Sequence, residues 1–219
     1  MNNIEYWLLD VVVTRYYPLY ILTAPNVAAI LNRKYVYGQG LSYSILVDAV
    51  GRLFLQGYIQ LAWWHVPLHT WMPMTDLNSS RSTIEAALQG ETEVNYGLTG
   101  KGGAAWEAKL HPNWQKYKDE DVSSEPGNIA RITAGSIEVI NEYMSLVFPS
   151  YLYPFVPIPE TLMMEQISPW QATYWKSLPL GYRIQFNYQT AEADVVPSDN
   201  FLERYHTITQ WYDEQFFAS

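Results

Sequence analysis

Proline limits where regular elements can run in several parts of this chain. Thirteen prolines are scattered through 219 residues. Each fixes φ and removes a backbone donor, so helices and central strands must lie between them. Pro18 stops a helix that starts at an Asn3 cap and runs to roughly Thr14. Pro25 is tolerated in the first turn of a short second helix over 27–33. Pro149, Pro154, Pro157 and Pro159 exclude regular central structure ahead of about Glu160.

Periodicity fills the intervals. Ser42 caps a third helix running to about Gln56, with Gly57 just past its end. Residues 58–63 alternate as a strand, 80–89 form a short helix, and 93–97 lead through glycines into another helix. Further on, 128–133 read as a strand and 136–148 as a helix with Ile137, Ile140, Tyr143, Met144 and Val147 on one side. Residues 182–189 alternate strictly, and Pro197-Ser198-Asp199 opens a last helix with Phe201, Tyr205, Ile208 and Tyr212 on one face. Charge, serine, Pro126 and Gly127 gather in KYKDEDVSSEPGN (116–128), the composition of a solvated connection. The expected domains are therefore 1–118 and 129–219.

Composition removes several classes of function. With 48% hydrophobic and 16% charged residues the chain can fill a core. It has no cysteine, which excludes disulfide scaffolds, thiolate metal sites and cysteine nucleophiles. A formal net charge of −9 gives no general affinity for nucleic acid or an anionic membrane. The N-terminus lacks a basic leader, and the apolar stretch over 41–55 carries Asp48 and Arg52, so a soluble cytoplasmic protein without membrane contact is expected.

Two separated elements resemble a winged-helix domain. The first is Leu41-Ser42 with Leu46, Val50, Leu53, Gly57 and Ile59, similar to the third helix of that fold and its exit into the sheet. The second is Leu98-Thr99-Gly100-Lys101-Gly102-Gly103 with Trp106-Glu107, which resembles a Leu-Thr-x-x-Gly-Gly-x-x-Trp-Glu variety found in uncharacterised bacterial proteins. The resemblance implies that 98–103 form a wing made tight by its glycines, with Trp106 packed against it and Glu107 near the linker. Residues 63–95 stand where a short hairpin belongs, so an enlarged wing or insert is expected. The fold class is α+β: an N-terminal winged-helix domain followed by a small C-terminal α+β domain.

The resemblance also implies that the third helix enters a DNA groove. Its residues argue otherwise. At 100° per residue, Ser44, Asp48, Arg52 and Gln56 make a narrow polar arc, and Asp48 and Arg52 are spaced to neutralise one another. Tyr43, Leu46, Val47, Ala49, Val50, Leu53 and Phe54 fill the opposite ~160°, wider than the ~100° of one-sided burial. Gly51 lets another backbone come close. Protein contact is therefore expected, through Tyr43, Val47 and Phe54 together with Trp63, Trp64 and Trp71 from the aromatic-rich insert. The alternative, a DNA-binding regulator with a C-terminal dimerisation or sensing domain, would use Arg33, Lys34, Ser44, Arg52 and Lys101.

No chemical site emerges. His65 and His69 have a metal-like spacing, but Pro67 lies between them and no carboxylate is near. Gly38-Gln39-Gly40 and 97–102 lack the spacing of nucleotide-binding loops. Ser136 suits a helix cap, Glu138 and Glu142 a solvated stripe, and Asp119–Asp121 a linker. No catalytic, cofactor-binding or metal-binding residue is assigned. The expectation is a non-enzymatic adaptor or immunity-like protein that contacts another protein or itself.

Overall fold

The computed structural model describes residues 1–23, 41–65, 70–74, 80–123, 127–147, 155–190 and 199–213. The helix expected over 27–33, with Arg33, Lys34, Pro67 and His69, lies outside them. The chain is mixed α and β and divides into two compact units. One comprises Met1–Leu110 with Thr173–Lys176, the other His111–Ala172 with Ser177–Asp213. Among the described residues no helix is long and apolar enough to cross a membrane.

The first unit opens with helix α1 (Asn3–Val11), capped by Asn2 rather than Asn3. The Asn2 side chain accepts from the Glu5 amide at 2.9 Å, and Glu5 Oε2 accepts from the Asn2 amide at 3.0 Å, a reciprocal capping box. A two-residue strand β1 (Tyr17–Pro18) follows, then helix α2 (Tyr43–Leu55), strands β2 (Ile59–His65) and β3 (Thr70–Pro73), helix α3 (Ser80–Leu88), strand β4 (Val94–Leu98) and helix α4 (Gly100–Leu110). The strands form one antiparallel sheet in the order β1-β4-β2-β3. Trp7, Leu8 and Leu9 of α1, Leu46, Val50 and Leu53 of α2 and Trp106 of α4 are fully buried.

The glycines of 98–103 do not make a tight turn. Thr99 closes the strand and starts α4: its hydroxyl accepts from the Gly102 amide at 3.1 Å and donates to the Gly57 carbonyl at 2.6 Å. Gly102 and Gly103 are helical, and what they supply is proximity. A Cβ on Gly102 would sit 1.8 Å from the Tyr58 carbonyl oxygen, and one on Gly103 2.0 Å from the Trp175 ring. That closeness brings the buried Trp106 indole to Asp10, donating to Oδ1 at 3.0 Å, and edge-on to Trp175 at 6.4 Å. Trp175 donates to the Val13 carbonyl and the Tyr174 hydroxyl to the Val12 carbonyl, both at 2.7 Å. The Tyr174 oxygen also accepts from the Leu98 amide, and burial raises its pKa, so the phenol remains a neutral donor and acceptor. Glu107 pairs with Lys176 at 2.6 Å.

In the second unit the stretch read as a connection contains a strand, β5 (Lys118–Ser123). Alternation decides this over composition. Lys118 and Glu120 turn toward α5 while Asp119 and Asp121 are exposed. Strand β6 (Ile129–Ala134), helix α5 (Ile137–Val147), strands β7 (Phe155–Pro157), β8 (Met163–Ile167), β9 (Trp170–Gln171), β10 (Ser177–Leu178) and β11 (Gly181–Thr190), and helix α6 (Asp199–Thr209) complete it. The sheet runs β5-β6-β11, and β7 and β8 share the far side of β11; every pairing is antiparallel. One face buries Ile132, Ile184 and Phe186 under Ile140 and Tyr143 of α5 and Ile208 of α6. The other carries Arg131 bonded to Gln185 at 2.8 Å and Asp121 at 3.2 Å, and Arg183 paired with Glu165 at 3.1 Å. Lys118 Nζ sits 3.9 Å from the Tyr143 ring centroid and 3.3 Å from Glu120, whose carboxylate accepts from the Tyr143 hydroxyl. Burial pushes the lysine below its ordinary pKa, and Glu120 pulls it back up. Ser136 caps α5 as expected, accepting from the Val139 amide at 3.3 Å.

Gly102→Ala is expected to destabilise the protein by about 3 kcal/mol through the clash with the Tyr58 carbonyl, despite its better helix propensity. Gly100→Ala, where no described atom lies within 4 Å, is expected to change stability by less than about 1 kcal/mol. Urea unfolding midpoints check both; equal effects would refute a packing role for Gly102.

Candidate functional site

The outward face of α2 is an exposed helix surface beside a cleft, and the expected protein-contact residues are not on it. Ser42 starts the helix, its side chain accepting from the Ile45 amide at 3.4 Å. Leu46, Val47, Ala49, Val50 and Leu53 turn inward and are buried. Gln56 ends the helix, and Gly57, at φ 71°, turns the chain into β2. Facing out are Ser44, Ile45, Asp48, Arg52, Leu55 and Gln56, with Gly51 among them. Leu55 is 62% exposed and Ile45 43%. A cleft of about 240 Å³ opens beside this face, lined by Val47, Asp48, Gly51, Arg52 and Leu55 of α2 with Arg81 and Ile84 of α3. A Cβ on Gly51 would meet no described atom within 4 Å.

The charges pair differently from the spacing. Asp48 and Arg52 do not neutralise one another, because each finds a partner on another helix. Arg81 of α3 reaches Asp48 at 2.7 Å and also Glu85 at 3.5 Å. Arg52 donates through Nε to Glu5 of α1 at 2.9 Å. Burial alone would raise the Glu5 pKa; the Arg52 guanidinium and the Asn2 amide outweigh it and hold the carboxyl below its ordinary value.

Tyr43 is 47% exposed near the start of the helix, and Phe54 is half-buried. Val47 is 2% exposed: it belongs to the core and can serve only as a wall of the cleft, which corrects its place among the contact anchors. Trp63 is 51% exposed on β2, opposite Met72 and Val94. Trp64 and Trp71 face one another across the β2–β3 ladder; their side chains lie outside the described set. Among the residues of the DNA reading, Ser44 and Arg52 are exposed, but Ser44 shares a hydrogen bond with Ser42 at 2.9 Å and Arg52 holds Glu5. Lys101 is on α4, not in a wing; it donates to the Gln56 carbonyl at 2.7 Å and lies 4.5 Å over the Tyr58 ring. Arg33 and Lys34 lie outside the described residues.

Sequence reasoning missed Ile45, Leu55, Arg81 and Ile84. The signal for the first two was present, because at 100° per residue both fall within ~60° of Asp48, on the polar arc. No local pattern announced that α3 would lie beside them. Among the described residues no group of three or more His, Asp or Glu is placed to hold a metal ion. Glu138 and Glu142 are exposed. The chain matches no protein-family model, no curated protein and no solved structure.

Because Glu5 titrates below its ordinary 4.5 in the folded state, its contribution is complete above that pH and is lost as the pH falls through the folded value. Arg52→Gln is expected to lower stability at pH 7 and to flatten the acid loss as the pH falls below the ordinary 4.5. Urea titrations from pH 7 into the acid measure it; parallel curves for the two proteins would remove the pair from the account.

Proposed function

We propose that this is a non-enzymatic protein-interaction protein of the cytoplasm, adaptor-like or immunity-like, whose first unit is a winged-helix variety turned to protein contact through the outward face of α2. The passage from α2 into β2, and the antiparallel pairing of β2 with β4 across the inserted 63–95 stretch, support the winged-helix reading. So does β1 adding to β4.

The observation that carries the functional reading is Gly51. A glycine in the middle of a 13-residue helix costs about 1 kcal/mol against alanine. Elsewhere in this unit glycine permits close packing, as at Gly102 and Gly103, but no described atom approaches Gly51. The space it keeps open lies beside the exposed Leu55 and opens on the cleft. A nucleic acid would need surplus positive charge here, whereas Arg52 and Arg81 are each neutralised by a carboxylate.

Gly51→Ala is expected to raise stability by up to about 1 kcal/mol, and Gly51→Leu to stay folded while filling the cleft. Proteins captured by the wild-type chain from native lysate are expected to be lost with Gly51→Leu and with Leu55→Asp. Capture unchanged by both variants would sink the reading. Retention on duplex DNA at ~50 mM salt, abolished by Arg52→Glu and Lys101→Glu, would replace it with the regulator.

A further inference from the structure

The outward face of α2 is complementary to itself. We propose that its occupant is a second copy of this chain, docked antiparallel about a two-fold axis that meets the outward face midway between Asp48 and Arg52. This rests on the protein-contact reading above and names the partner.

An isologous contact requires that every group meet its complement when the helix is reversed against its copy. Centred between Asp48 and Arg52, the reversal sets Asp48 opposite the second copy's Arg52 and, by symmetry, Arg52 opposite its Asp48. It sets Ile45 opposite Leu55, two exposed aliphatic side chains, and Ser44 opposite Gln56, two exposed polar ones. Each match occurs twice.

The internal ion pairs permit this arrangement. Arg81 binds Asp48 through Oδ1, and Glu5 engages Arg52 at Nε. Those bonds leave Asp48 Oδ2 and the terminal nitrogens of Arg52 to close a bridge to the second copy. Side-chain exposures of 50% for Asp48 and 47% for Arg52 leave them accessible. Thirteen residues of helix span only about 20 Å, well short of the ~800 Å² per partner of a standard interface. The dimer is therefore weak, with a dissociation constant in the micromolar range.

Sedimentation equilibrium of the full chain, up to ~100 µM, tests the proposal. The wild type is expected to dimerise, and Asp48→Lys and Arg52→Glu to weaken self-association by ~10-fold or more, since each sets like charges opposite one another. An equimolar mixture of those two variants is expected to dimerise again, because every 48–52 contact then joins opposite charges; circular dichroism reports folding of each alone. A monomeric wild type, a dimer indifferent to both reversals, or a mixture that fails to reassociate would each overturn the two-fold pairing. A monomeric wild type that still loses a captured protein on Gly51→Leu overturns self-pairing alone. If Gly51→Leu changes neither self-association nor capture, the docking role of α2 falls with it.

Discussion

The first unit is organised around a carboxylate that water does not reach. Asp10 is 1% exposed, and the indole N–H of Trp106 meets it at 3.0 Å. A buried carboxylate without such a donor would be strongly destabilising. For the indole to arrive there, α4 must run close to its neighbours, and Gly102 and Gly103 remove the two side chains that would hold it away. The atom against Gly102 is the carbonyl of Tyr58, in the turn where the chain leaves α2. The close approach that places the indole therefore also sets where α2 ends and β2 begins. Tyr174 and Trp175 complete the arrangement by donating to the carbonyls of Val12 and Val13, which follow the last turn of α1 and would otherwise lack partners.

With its inner face committed to this core, α2 keeps a second surface whose composition is unlike a nucleic-acid interface. Arg52 is bound to Glu5 of α1 and Asp48 to Arg81 of α3, and beside them lie a glycine and two exposed aliphatic side chains. The fold by itself would be neutral on function. The chemistry of this one face favours another polypeptide, and its symmetry under reversal favours a copy of itself.

The second unit solves a different problem. Its sheet is covered by helices on one face and carries a polar ladder of Arg131, Gln185, Asp121, Arg183 and Glu165 on the other. At the β5 edge, Lys118 and Glu120 close over Tyr143, so the core ends in charged groups that satisfy one another. An edge of this kind resists pairing with a further strand.

Local pattern was enough to place most of the elements. Serine caps at Ser42 and Ser136, the 3.6-residue stripe of α5 and the strict alternation of β11 are each written in a few consecutive residues, because caps and periodicity are short-range. What composition suggested was less secure. The acidic 116–128 stretch looked solvated, yet alternate residues of β5 face inward. The glycines after Leu98 looked like a turn, yet Gly102 and Gly103 sit inside a helix because a distant carbonyl and a distant ring need the room. Asp48 and Arg52, four apart, looked like a pair, yet each chose a partner at long range. The sequence by itself determined those elements that carry a short-range stripe, alternation or cap, among them α2, α5 and β11. Only the tertiary structure decided which glycine is crowded and which is open, and which charges meet, because those depend on atoms brought together from far along the chain.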